Sequence, residues 1–175
     1  MNMHLVRPSM AHAAEIMAYR AESLELAAYV NGAFELAGYT DPAAWIACCE
    51  ARTDPATLPE GDVEADEWLM VDEDSRVVGM VNVRRTIDDP FFAEYAGHIG
   101  YSIRPCERGK GYGTIQLRLA LDKCRDLGLD RILVTCDTDN EASRRTILSC
   151  GGVFERATTL TPEEPTPRER YWISL

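Results

Sequence analysis

Several common frameworks are missing from this 175-residue sequence. Its six cysteines, Cys48, Cys49, Cys106, Cys124, Cys136 and Cys150, contain no C-x-x-C pair. The one adjacent pair, Cys48-Cys49, lacks metal-ligand spacing, and His4, His12 and His98 are scattered, so no metal site is expected. The cysteines read as reduced and mostly buried, which suits a cytoplasmic protein. No stretch approaches the roughly 18 apolar residues of a membrane helix, and residues 1–20 hold no apolar core of signal-peptide length. Positive charge is scarce: 18 Lys and Arg stand against 29 Asp and Glu, for a net charge of −11. Such a surface repels phosphate backbones and anionic lipid, which excludes nucleic-acid and membrane partners. It keeps the chain soluble and would also attract protonated amines. Internal repeats and low-complexity tracts are absent too.

What is present is the pattern of one α/β domain. Residues 3–7 alternate like a short strand, and Ala13, Ile16, Met17 and Arg20 open a helical period. A second helix is expected from Asp41, an N-cap with Pro42 at the first helical position. Residues 52–66, with Pro55, Pro59, Gly61 and several acids, read as an exposed loop. The period then changes to two, with strands expected at 68–71, 76–84 and 98–103; the apolar run from Val77 to Val83 suits a strand covered on both faces. A helix at 111–127 presents Leu117, Ala120, Leu121 and Cys124 on one face and ends at Gly128. A strand at 131–136, a helix at 140–150 and strands at 153–159 and 170–175 follow, the last two joined by a loop with Pro162, Pro165 and Pro167. Strands interleaved with helices predict a mixed central sheet of about six to seven strands flanked by about four helices.

The stretch Ile103-Arg104-Pro105-Cys106-Glu107-Arg108-Gly109-Lys110-Gly111-Tyr112-Gly113-Thr114 carries chemistry. A strand ends, a glycine-rich turn follows and a helix begins, so several backbone N–H groups converge at the positive end of a helix dipole. Glycine at 109, 111 and 113 lets a ligand approach the main chain, and Arg104, Arg108 and Lys110 concentrate positive charge in an acidic protein. This is a phosphate cradle. It is not Walker A, because Gly111 follows Lys110 where Ser or Thr is required, and not G-x-G-x-x-G, because Thr114 occupies the third glycine position. A nucleophile elbow is missing as well, since Gly100-Tyr101-Ser102 continues into Ile103-Arg104.

Arg108, Gly111 and Gly113 spell R-x-x-G-x-G; Asn140-Glu141-Ala142-Ser143 and Gly151-Gly152-Val153-Phe154 follow at the ends of a later helix. In these features the sequence resembles the GNAT superfamily of acyl-CoA N-acyltransferases over roughly residues 68–175. The resemblance implies one N-acetyltransferase domain over 1–175, in which 67–175 binds acetyl-CoA and 1–66 shapes the acceptor site. It implies that Tyr101, Ser102 and Ile103 pair with pantetheine and that the amides of Arg108, Gly109, Lys110, Gly111, Tyr112, Gly113 and Thr114 take the pyrophosphate. Asn140 and Ser143 would lie near the pantetheine or the reacting carbonyl, and an amide near Ile103 would meet the oxyanion. The implied reaction moves an acetyl group from acetyl-CoA to a primary amine of a small molecule or peptide by direct attack in a ternary complex.

Such a reaction needs a group to take the amine's proton, and the candidates are Glu94 and His98, each of which also has a plain structural reading. The acidic loop 60–67 reads as solvated, with attraction of a cationic acceptor as the alternative. One departure stands out: many family members place a tyrosine acid where this chain has Ile147. That leaves a non-catalytic acyl-CoA-binding or sensing module as the competing reading. A homodimer is left open.

Overall fold

The computed structural model describes residues 2–159 and 167–175. The proline-rich loop expected between the last two strands lies, Pro167 apart, outside the described residues. Among the described residues, seven strands and four α-helices are arranged as β1 (His4–Val6), α1 (Ala13–Leu24), α2 (Pro42–Ala51), β2 (Ala65–Val71), β3 (Val77–Arg84), β4 (Ile99–Ile103), α3 (Tyr112–Asp126), β5 (Arg131–Asp137), α4 (Glu141–Ser149), β6 (Val153–Thr158) and β7 (Arg168–Ser174). The expected α/β class and element order stand. The strands divide between two antiparallel sheets, in the orders β1-β2-β3-β4 and β5-β7-β6.

Local chemistry sets the element ends. The Asp41 side chain accepts a hydrogen bond from Ala43 N at 2.9 Å and caps α2, with Pro42 following where its missing N–H costs nothing. Asp72 turns β2 into β3 by accepting from the amides of Asp74 and Arg76, both at 3.0 Å.

The first sheet is buried on both faces, as the unbroken apolar run of β3 requires. Leu69, Val71, Val77 and Met80 meet Ile16, Tyr19, Trp45 and Ile46 of α1 and α2. Val81, Val83 and Ile99 meet Leu117, Ala120, Leu121 and Cys124 of α3, and this second core continues through Ile132, Val134, Tyr171 and Ile173. One hydrophobic mass therefore spans both sheets, which is what lets them act as a single scaffold.

Two expectations need correction. The exposed loop ends earlier than its composition suggests, because β2 begins at Ala65, and Arg52, Ala65 and Asp66 are buried. Asp66 tolerates this because Arg85 Nε donates to it at 3.0 Å and Arg7 binds it from the other side. Glu67 is likewise buried in the strand, so the solvated acidic loop stops short of both residues.

The sheets touch at one point and then part. Gly97, just ahead of β4, bridges Val134 of β5; the His98 amide donates to Leu133 O at 2.8 Å, and the Leu133 amide donates to His98 Nδ1 at 3.0 Å. Beyond this point, among the described residues, β4 has a ladder partner on one side only, namely β3. The other edge of β4 faces an opening between the sheets.

Candidate active site

That opening is a groove of about 440 Å³, inside the usual range for small-molecule sites. Its floor is the free edge of β4, contributing Tyr101, Ser102 and Ile103; one end is the turn from Glu107 to Thr114; the far wall is the start of α4, with Asn140, Ser143 and Thr146. The fold thus brings together all the residues expected to hold acetyl-CoA except Lys110, which does not line the groove.

The turn is built for an anion. Gly109 and Gly111 have φ of +77° and +82°, a left-handed conformation that side-chain-bearing residues rarely adopt. A Cβ at either would meet nothing within 4 Å, so the space over the main chain is open. Gly111 caps the 15-residue α3, whose first turn is the positive end of its dipole; within that turn the Thr114 amide donates to Gly111 O at 3.2 Å. Gly113 serves a different purpose. It is helical, and a Cβ there would press on Thr146 Oγ1 at 3.2 Å, so its glycine lets α4 pack close to α3.

The positive charge is narrower than the sequence suggests. Arg104 is buried and turned away, donating to Glu22 Oε1 at 2.7 Å and to Glu15 Oε2 at 2.7 Å. These carboxylates hold its guanidinium pKa above the usual value. Lys110 is paired with Glu107 at 2.8 Å. Arg108 alone of the three faces the groove with no carboxylate partner among the described residues, its Nε donating to Ile103 O at 3.1 Å.

Two further cavities adjoin the groove. One of about 230 Å³ shares Asn31, Tyr101, Asn140 and Ser143 with it, and the next, of about 390 Å³, is reached past Asn31, Gly32 and Arg84. The loop between α1 and α2 forms their outer wall. It is seated by glycine against glycine: a Cβ on Gly32 would stand 2.5 Å from Tyr101 Cα and 2.6 Å from Gly100 O. Sequence reasoning missed Asn31 and Gly32, whose contact with β4 depends on packing across about 70 residues.

Tyr101 stands where groove and cavity meet. Its hydroxyl shares a hydrogen bond of 2.8 Å with Ser143 Oγ, and burial pushes its pKa up to about 12. Neighbouring Ser102 is held by the Tyr19 hydroxyl at 2.9 Å. Asn140 Oδ1 accepts from Ser143 N at 3.1 Å, so it is the N-cap of α4 as well as a groove residue.

Neither expected base is brought to this junction. His98 is buried at the seam between the sheets, and burial, with the charge of Arg84, lowers its pKa to about 4. Its Nδ1 is already committed to the Leu133 amide. Glu94 lies in a π-helical turn, Phe92–Ala96, with its carboxylate ion-paired to Arg156. Ile147 is fully buried in the core shared by the sheets.

Two splayed sheets, a left-handed glycine turn opening a long helix, and a groove running from that turn along the free edge of β4 make up this α/β architecture. Residues 3–153 match the family model of the acetyltransferase (GNAT) domain, and the chain belongs to that family. No sequence match to a curated protein was found. Among solved structures, Mycobacterium smegmatis RimJ in complex with CoA-disulfide superposes with a TM-score of 0.70 at 19% identity, covering 98% of this chain and 81% of that one. The microcin C7 self-immunity acetyltransferase MccE, in complex with acetyl-CoA and AMP, gives 0.68 at 18% identity over 99% and 92% of the two chains. Mutant forms of the spermidine/spermine N-acetyltransferase SpeG from Vibrio cholerae give 0.66 at 15% identity over 99% and 95%. At these identities the likeness is one of fold.

Proposed function

We propose that the chain is an acetyl-CoA-dependent N-acetyltransferase acting on a primary amine in a ternary complex. The observation that carries the reading is the open left-handed turn at Gly109 and Gly111, with Arg108 beside it and the first turn of α3 behind it. Family membership and the acetyl-CoA and CoA-disulfide complexes of MccE and RimJ support the same ligand. When bound, acetyl-CoA supplies the thioester to be attacked.

The chain's own residues divide the work. Amides of the turn between Arg108 and Thr114 take the pyrophosphate, those two residues' own amides already donating to Pro105 O at 3.3 Å and Gly111 O at 3.2 Å, and Arg108 adds the charge that a bidentate phosphate contact uses. The free edge of β4 at Tyr101–Ile103 pairs with the amide-bearing pantetheine arm, as a strand edge pairs with any extended chain. Residues 1–66 contribute the acceptor wall through Asn31 and Gly32, and the amine enters through the cavities behind Tyr101. The carboxylate in the nearer cavity is Asp137, held by Arg168 at 2.9 Å. With His98 and Glu94 both engaged elsewhere, this geometry favours amines that are partly neutral at pH 7, such as an α-amino group of pKa about 7.7–8.0, over a lysine-like amine at about 10.4.

Buried Ile147 favours a second reading, an acyl-CoA-binding module without turnover. Against it stands Tyr101, whose hydroxyl reaches the same junction from β4 instead of α4 and can donate a hydrogen bond to the departing sulfur. Three measurements decide. Gly111→Trp, which fills the space over the turn, is expected to abolish CoA binding in calorimetry; unchanged affinity would sink the pyrophosphate placement. Thiol release with a panel of α-amines and alkylamines separates enzyme from sensor. Tyr101→Phe is expected to lower turnover about 100-fold or more, the range of a proton-donor contribution, while CoA affinity stays within twofold.

A further inference from the structure

Glu67 is a buried acid that acetyl transfer leaves unused. It sits in β2 with 1% of its surface exposed, and both carboxylate oxygens are buried without a hydrogen-bond partner. Its neighbour Asp66 points to the opposite face of the strand, where Arg7 and Arg85 satisfy it. Glu67 instead faces α2. A carboxyl group taken out of water with nothing in return costs several kcal/mol or forfeits its charge, so a chain that keeps one there does so against its own stability.

Glu67 lines a separate cavity of about 250 Å³. Pro8 and Ile46 give it apolar walls, Cys49 adds a thiol, Glu50 and Thr53 stand at the end of α2, and Arg7 lines it as well. The nearby cations are committed elsewhere. Arg7 binds Asp66 and lies 3.9 Å over the Trp68 ring, Arg52 pairs with Asp62 at 2.7 Å, and Arg84 donates to Gly97 O at 3.1 Å. Glu50 at the rim is exposed and adds negative charge. Among the described residues no group of three or more His, Cys, Asp and Glu could hold a metal ion, so a hard divalent cation would lack the oxygens it requires.

We infer that this cavity is a binding site for a small primary ammonium on a short alkyl chain, with the Glu67 carboxylate accepting from the ammonium and Ile46 and Pro8 enclosing the chain. The volume suits such a guest: 250 Å³ equals about eight waters at roughly 30 Å³ each. The site is distinct from the groove, because β2 lies two strands from β4, about 10 Å at the usual strand spacing. It does not rest on the transfer reading.

The test is calorimetric titration of the full chain with n-butylammonium chloride, without acetyl-CoA, beside n-butanol as the uncharged counterpart. Saturable one-site binding is expected for the amine, with butanol at least tenfold weaker. Glu67→Gln is expected to weaken the amine at least tenfold. Thr53→Leu, which narrows the cavity and leaves the carboxylate in place, provides the second variant, with cooperative thermal unfolding as the check that each protein is folded. No saturation at tens of millimolar amine overturns the inference. So does butanol binding as tightly as the amine, or full amine affinity in whichever folded variant is obtained.

Discussion

At the scale of single residues, charge placement could be counted in the sequence but not partnered. Arg104, Arg108 and Lys110 are close in sequence, yet Glu15 and Glu22 on α1 claim the first and Glu107 the third. His98 has the pKa range of a base on paper, and the group that engages it, the Leu133 amide, lies 35 residues away. Glu67 shows the same limit from the other side, since nothing local marks it as buried. Its folded-state pKa is raised well above the ordinary carboxyl value, chiefly by burial and against the nearby charges of Arg84, Arg52 and Arg7. The unfolded chain therefore releases this proton at lower pH than the folded one, and stability falls as pH rises from about 4.3 through the folded value. Glu67→Gln removes that penalty. Its thermal midpoint should match wild type near pH 4 and exceed it increasingly toward pH 8; a constant gap across that range would refute the burial account.

At the scale of elements, the sequence was most legible where one element decides its own form. The period of α3, the Asp41-Pro42 start of α2 and the apolar run of β3 all fold as written. The glycine turn is legible for the same reason, because a left-handed cap is a local requirement. What stayed hidden are contacts between elements. R-x-x-G-x-G contains two glycines with different jobs, one open to a ligand and one thinning the α3–α4 interface. Gly32 was invisible as a site residue, although it presses the α1–α2 loop onto β4. Gly32→Ala combines a left-handed φ of +70° with contacts of 2.5–2.8 Å to the backbone of Gly100 and Tyr101. The conformational part alone is worth roughly 1–2 kcal/mol. We expect the loop to lift, raising KM for the amine several-fold in steady-state kinetics and leaving CoA affinity near wild type. Equal loss of both would place the defect in β4 itself.

At the scale of the whole molecule, the class and the element order were readable, whereas the split into two sheets was not. That split depends on β4 and β5 pairing once, at Gly97 and Val134, and then diverging, a relation between strands some 30 residues apart. Net charge, by contrast, is visible at once and acts at long range. With Arg104 and Lys110 neutralised, Arg108 alone of the three cations is left to face a polyanionic cosubstrate, while the chain as a whole carries net charge −11. Distant repulsion is screened beyond roughly 10 Å at 0.1 M salt, whereas a seated phosphate contact is screened less. Added salt should accordingly speed the entry of CoA, measured by stopped flow, the reverse of what a basic nucleotide-binding protein shows. An acetyltransferase armed this sparingly would hold its donor by shape and main chain, and would admit it most readily in a briny cell.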